Sequence, residues 1–479
     1  MQKFKYAVFA SSFFFIALLC WAFSAPIGAG PDSDFHISSI WCGQGERKGL
    51  CEEIGASAAQ YNAKVPFMFQ MCDNRPIEYL PSCAEIVTKP ETQFLRTAIP
   101  LQQNSYYKIM SHFASQNTNQ SVLVIRLINA LIASCVLLAL LVLCSGKIKF
   151  SVAASWSVGL VPVGVQFLPS VNPRGWSFLA VFSSWAFLAS GLEARQRSVR
   201  SYSAYLLCAL TASLAFATRV DGSIFVIFSC TIVTISHLLK SYVLSKKILV
   251  VSAISIFLIL VPIQSISSLR HIYSFQLADS IDLPRFLLMQ IVHGPEFITQ
   301  AWGYNIGQQG NGPGIVGIIG LSLFVITLSF ALQNASPIQA IGVVSIILFM
   351  LVSHMRGSLA IGELVPASGE YVMALTVFLL GFTLWTSKSI QNFQSSRRGQ
   401  ITTIGLLTFS HAIAFYSYME YYVKRGANIG TFETISLNQS WWWNSDINPN
   451  SVYWIGSTAF SLFLCFMWTA VNQPSTDEQ

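Results

Sequence analysis

Asp32, Asp34 and His36 share one short stretch, Pro31-Asp32-Ser33-Asp34-Phe35-His36. A carboxylate so placed can take the proton from an attacking hydroxyl. Its neighbour and the imidazole could orient that base or bind a divalent cation, Mg or Mn. Positive charge of that kind stabilises a departing phosphate. The stretch comes directly after an apolar run, Tyr6 to Ala25, that Pro26 ends. Ionisable groups near a hydrocarbon boundary are costly unless they face water, a ligand or one another. Asp-x-Asp alone is a weak motif, and solvated carboxylates in a helix-end turn are the alternative. Its place after the first apolar run adds the weight.

Two later motifs could supply cations. Asn172-Pro173-Arg174-Gly175-Trp176 reads as a short turn between spans. Arg174 there either snorkels to lipid headgroups or contacts a phosphate, with Asn172 and the turn aiming it. Thr218-Arg219-Val220-Asp221-Gly222 places Arg219 and Asp221 at a second break. They form a structural ion pair, or Arg219 holds an oxyanion bidentately as guanidinium does well. Other clusters are less specific. Arg270, His271, Asp279, Asp282, Arg285, His293 and Glu296 precede a glycine-rich run that opens at Trp302 and reads as a flexible connector. His354, Arg356, Glu363 and Glu370 flank the start of a late span, and Trp441-Trp442-Trp443 reads as an interfacial anchor, with sugar stacking as the alternative. Pro100 to Phe113 reads either as an amphipathic interface helix or as a plain aromatic anchor.

The elements that must position these groups are membrane helices. The chain is 53% hydrophobic and 10% charged, with a mean hydropathy of +0.54. That excludes a soluble globular protein. Span-length apolar runs recur at 5–25, 121–144, 150–168, 175–192, 202–217, 223–243, 247–266, 314–333, 337–353, 369–387, 400–420 and 451–471. The expectation is an all-α polytopic protein with about twelve transmembrane helices, eleven or thirteen remaining open, in one membrane domain over 1–479. Its long outside loops are 26–120, 267–313 and 421–450. The first run reads as a retained signal anchor, since its apolar core is too long for a cleaved leader and Pro26 disfavours cleavage.

Charge orients the bundle. With the N-terminus inside, Lys147 and Lys149, Arg195 to Arg200, Lys240 to Lys247 and Lys388 to Arg398 all fall on the cytoplasmic side. This is the positive-inside pattern, and it puts both termini in the cytoplasm. The basic balance therefore follows from topology and implies no nucleic-acid partner. Cys42, Cys51, Cys72 and Cys83 lie together in the first outside loop, where an even set reads as two disulfides. Of the three connectivities, 42–51 with 72–83 is the simplest. No phosphate-binding loop, metalloprotease motif or paired interrupted helices of an inverted-repeat transporter is visible.

Taken in order, Pro-Asp-x-Asp-Phe-His with Trp41-Cys42, Asn-Pro-x-Gly-Trp, Thr-Arg-Val-Asp-Gly and the late Trp-Trp-Trp resemble the actinobacterial branch of domain-of-unknown-function family 2142. That family is grouped with the GT-C glycosyltransferases, which take sugars from polyprenyl phosphates on the outer face of the membrane. The resemblance implies a GT-C-like fold in a bacterial plasma membrane and a glycan or glycolipid acceptor of the cell envelope. It carries the catalytic role to Asp32 or Asp34, and substrate binding to Arg219 and Asp221. Two departures matter. Ser33 replaces the glutamate of the commoner Pro-Asp-Glu form, which leaves two candidate bases. The stretch Glu363 to Tyr371 lacks the arginine that many relatives carry. Transport of a lipid-linked saccharide, or a silent role in envelope assembly, are the alternatives.

Overall fold

The computed structural model describes residues 2–27, 33–57, 60–65, 93–97, 105–194, 198–218, 220–241, 313–361, 369–389, 396–423 and 447–473, with single positions or pairs at 288, 302, 305–306 and 310–311. Helix α1 (Gln2–Phe23) enters the bundle and α2 (Ser33–Trp41) follows it. Strands β1 (Glu52–Ser57), β2 (Gln60–Val65) and β3 (Gln93–Thr97) pair antiparallel in the order β1-β2-β3. After the short α3 (Ser105–Met110) come α4 (Thr118–Leu143), α5 (Gly146–Phe167), α6 (Arg174–Glu193), α7 (Val199–Phe216) and α8 (Val220–Ser241). The two-residue strands β4 (Asn305–Ile306) and β5 (Gly310–Asn311) precede α9 (Gly314–Leu332), α10 (Pro337–Ile361), α11 (Gly369–Thr386), α12 (Arg397–Val423) and α13 (Pro449–Asn472).

Among the described residues, α1, α4 to α9 and α13 are long and apolar enough to cross a membrane. Helices α10 and α11 carry shorter apolar stretches, Pro337–Ser353 and Met373–Thr386. Each expected span therefore falls on a helix except 247–266, which lies outside the described residues. The membrane part is helical, as expected. The small sheet in the first loop is an addition that the all-α reading did not foresee.

Composition explains which helices sit inside. Helix α5 places Ser151, Ala153, Ala154, Ser155 and Ser157 in the interior. Small side chains let neighbouring backbones approach where lipid provides no hydrophobic drive. The hydroxyls are satisfied within the helix: Ser151 Oγ donates to the Lys147 carbonyl and Ser157 Oγ to that of Ala153, both at 2.7 Å. Helix α7 is the opposite case. Val199, Tyr202, Leu206, Leu210 and Phe216 stay exposed on it, as suits a face turned to lipid. Helix α1 packs along α13, with Phe13 and Phe14 placed 5.5 and 4.8 Å from Phe466 and Phe463 between ring centres.

Helix α5 is broken at Pro162. Val161 leaves helical geometry (φ −100°, ψ 128°). Proline has no N–H, so the carbonyl of Val158 four residues earlier loses its helical donor. The indole of Trp302 replaces it at 3.1 Å. Trp302 is buried against Phe324, with ring centres 4.7 Å apart. The glycine-rich run, expected as a free connector, thus begins on a fixed anchor.

A second core closes the end of the bundle where α1 finishes. Ile37, Ile40 and Trp41 of α2 meet Tyr106, Tyr107 and Met110 of α3, then Val122 and Ile125 of α4. Within the stretch 100–113, Tyr106 and Tyr107 are 0% and 3% exposed in this core, while Ile109 and Phe113 remain 45% and 40% exposed on the outside. A disulfide joins Cys42 to Cys51 (Cα–Cα 5.2 Å), matching half of the simplest pairing. Cys72 and Cys83 lie outside the described residues. At the other end of the helices the basic residues gather. Lys147 Nζ donates to the Ser387 carbonyl (3.1 Å), Arg200 Nη2 to that of Leu143 (2.8 Å), and Lys240 Nζ sits 4.2 Å over the Trp385 ring. Trp385 Nε1 in turn donates to Glu193 at 2.7 Å.

Candidate functional site

The site begins with the unmet carbonyls at the C-terminus of α1. A helix end leaves its last carbonyls without intrahelical donors, and it carries partial negative charge. Arg126, inside α4, answers both. Its Nη1 donates to Ala22 and Ala25 carbonyls at 2.7 Å each, and Nη2 to that of Pro26 at 3.0 Å. The guanidinium is 3% exposed. Sequence reading passed over Arg126, although a lone charge within a span is itself a signal.

Beside this cap lies a small, partly open cavity of about 20 Å³, room for a single water. Its walls include Trp21, Ser33, Arg126, Gln166, Asn172 and Tyr418. Ser33 immediately follows Asp32, so the acidic stretch reaches this cavity. Asp32 itself lies outside the described residues. Asp34 is placed by its backbone in the first turn of α2 and its side chain lies outside the description. Gln166 is a second residue that the sequence reading missed. It sits just beyond the break in α5, is 8% exposed, and its Nε2 has no hydrogen-bond partner. A glutamine within an apolar run was the available clue. Behind the wall, Trp21 Nε1 donates to His411 Nε2 at 2.9 Å, and His411 stacks on Phe460.

His36 turns toward the second core. It is 3% exposed, and its Nδ1 meets the Tyr107 hydroxyl at 2.7 Å. The neighbouring Tyr106 donates its hydroxyl to the Val171 carbonyl at 2.9 Å. Asn129 of α4 holds the same turn. Its Nδ2 donates to the Ser170 carbonyl (2.6 Å) and its Oδ1 accepts from Trp176 Nε1 (2.9 Å). Asn172 Oδ1 accepts from the Arg174 N–H at 2.9 Å, an Asx turn that starts α6. Asn172 thereby fixes the backbone of Arg174 at the start of α6.

A second cavity, of about 10 Å³, borders the other end of that turn. Arg174, Ser177, Asp221, Gly222 and Phe225 line it. The Asn-Pro-Arg-Gly-Trp and Thr-Arg-Val-Asp-Gly motifs therefore meet. Ser177 and Thr218 hydroxyls are 2.7 Å apart, and the approach is close enough to need glycine. A Cβ on Gly222 would stand 2.5 Å from Ser177 Oγ, and one on Gly175 would stand 2.6 Å from the Phe167 carbonyl. Arg219 lies outside the described residues, as do the charged residues of 267–296, Glu363 and the tryptophans 441–443. His354, Arg356 and Glu370 are described by backbone alone. Among the described residues no cluster of three metal-ligating side chains occurs, and neither Asp32 nor the Asp34 side chain belongs to that set.

Helices of membrane length around a polar, cavity-bearing end define a polytopic α-helical membrane protein. The family model described as "Predicted membrane protein (DUF2142)" matches residues 13–297, more than half of the chain, and the chain belongs to that family. The matched region holds the acidic stretch, Arg126, Gln166 and both arginine motifs. No curated protein and no solved structure matches the chain.

Proposed function

We propose that the protein is a glycosyltransferase of the outer membrane face. It would move a sugar from a polyprenyl-phosphate donor to an envelope glycan or glycolipid. Asp32 or Asp34 removes the proton of the acceptor hydroxyl as that oxygen attacks the anomeric carbon. The bond from that carbon to the phosphate oxygen breaks, the configuration inverts, and polyprenyl phosphate leaves. Arg174 and Arg219 neutralise the leaving group. A divalent cation, Mg or Mn, held by Asp32 and Asp34 belongs to the same reading, as do twelve spans and cytoplasmic termini in a bacterial plasma membrane.

The observation that carries this reading is convergence. Ser33 of the acidic stretch and Asn172 of the first arginine motif line one cavity at the end of α1, and Arg174 with Asp221 lines the next. Lys147, Arg200 and Lys240 engage the opposite ends of the helices, the arrangement expected if the cavities face outward. The family resemblance of these motifs supplies the reaction class.

The test is transfer of sugar from a polyprenyl-phosphate donor in membranes bearing Asp32→Asn, Asp34→Asn or both. At least one single variant should insert normally and lose transfer, and chelation of divalent ions should reduce it if the pair holds a metal. Undiminished transfer by the double variant would refute the assignment. Passage of saccharide across sealed vesicles with no glycosidic bond formed would place the protein among transporters instead.

A further inference from the structure

Gln166 is a buried amide that the protein's own groups leave unmet. It is 8% exposed, its Nε2 has no hydrogen-bond partner, and it lines the cavity at the end of α1. A buried donor in that state has given up its hydrogen bonds to water and gained none in return, which is far costlier than burial with a partner. The cavity beside it is where a partner can stand.

Room, polarity and charge together define the occupant. About 20 Å³ admits one water and nothing larger, and the cavity is partly open, so water can enter. A void of this size stays dry when its walls are apolar, and fills when two or more polar groups face it. Gln166 supplies a donor. Ser33, Ser170 and Asn172 bring side-chain oxygens to the same wall, and Ala22 and Ala25 border it as well. The carbonyls of these two alanines each accept one N–H from Arg126 at 2.7 Å. A carbonyl oxygen has a second lone pair, which leaves each of them able to accept again. Charge argues against a small ion in the same place. The Arg126 guanidinium repels a cation, and the negative end of α1 repels an anion.

We propose that this cavity is the site of one ordered water, which accepts the N–H of Gln166 Nε2 and donates to oxygens at the end of α1. The water ties the part of α5 beyond the break at Pro162 to the chain that leads from Pro26 into Asp32. With Arg126 it completes the capping of α1. It belongs to the fold whether or not the protein transfers a sugar.

Radiolytic labelling of the purified full-length protein in nanodiscs reads such a water. An X-ray pulse makes hydroxyl radicals from ordered water, and these attack the side chains beside it. Trp21 and Tyr418 are each 2% exposed and line the cavity, whereas Trp468 is equally buried and does not line it. Trp21 should be labelled several-fold faster than Trp468. Gln166→Met, close in volume, removes the donor, and labelling of Trp21 and Tyr418 should then fall at least 3-fold while that of Trp468 stays the same. Stability, measured by steric trapping in bicelles, gives a second readout. An amide satisfied by water loses a hydrogen bond on this substitution, so the unfolding equilibrium constant should rise roughly 3- to 10-fold. An amide left unmet would be relieved by the same change, and the constant would fall. Trp21 labelled no faster than Trp468, labelling indifferent to Gln166→Met, or an unfolding constant at or below that of wild type would each overturn the proposal. If Gln166→Met fails to insert, the contrast between Trp21 and Trp468 in wild-type protein still decides. Neither readout depends on sugar transfer, so loss of the transferase reading leaves the water in place, and loss of the water leaves that reading untouched.

Discussion

Replacing Arg126 by methionine removes the cap on α1 while keeping an unbranched stem in the same space. Three hydrogen bonds go with it, to Ala22, Ala25 and Pro26. Bonds to a charged donor contribute roughly 1.5–3 kcal/mol each. The cost of holding a guanidinium away from water disappears at the same time and offsets much of that sum. What remains is three carbonyls without donors, roughly 1–3 kcal/mol each when fully buried. The adjoining cavity is partly open, so water can reach them and the low end applies. The expected destabilisation is about 3 kcal/mol. Arg126→Lys, with a point charge and three donors in place of a planar fork, should recover about half. Steric trapping in bicelles measures the unfolding free energy directly. A methionine variant within about 0.5 kcal/mol of wild type, the range of an inconsequential surface change, would refute the capping argument. Protease accessibility of the segment after Pro26 gives a second readout, since the loss should loosen the chain leading to Asp32 before it unfolds the bundle.

Trp302→Phe keeps the ring against Phe324 and removes the donor to Val158, so stability should fall by about 1–2 kcal/mol. Equal stability in the same bicelle assay would mean that water or another donor serves the carbonyl at the helix break. Gly222→Ala should cost roughly 1–3 kcal/mol through overpacking on Ser177. Ser177→Ala in the same chain should return part of it despite the lost bond to Thr218. Strict additivity of the two changes would mean that Gly222 and Ser177 do not crowd each other.

Much of this was open to reading from the sequence. Apolar runs of span length locate the helices, since a bilayer allows few alternatives to an internally bonded helix. The arginine motifs were visible because arginine beside proline or glycine between spans is uncommon, and the structure brings Ser177 and Thr218, and Arg174 and Asp221, together across α6 and the start of α8. What escaped was of another kind. Arg126, Asn129, Gln166 and His411 are single polar residues inside apolar runs, with no neighbour in sequence to make a motif. Their partners are carbonyls and rings brought up from other helices, at separations such as 104 residues for Arg126 and Ala22. No local pattern encodes such a partner. The tyrosines 106 and 107 were ambiguous for a related reason: aromatic and polar residues ahead of a span look alike whether they meet headgroups or other parts of the protein.

These scattered residues also settle how the two arginines differ. Arg126 and Arg174 are equally buried, at 3% exposure each. Arg126 faces the negative end of a helix and satisfies its carbonyls, a task complete without any ligand. Arg174 begins a helix, with its backbone N–H held by Asn172, and lines a cavity with Asp221. One turn, pinned by Asn129 and Tyr106, therefore lies between the cavity that Arg126 lines and the one that Arg174 and Asp221 line. Under the proposed reading, Arg174→Gln should raise the KM for the lipid-linked donor at least several-fold while insertion and unfolding temperature stay as in wild type. A KM equal to that of wild type would mean that Arg174 does not contact the donor phosphate.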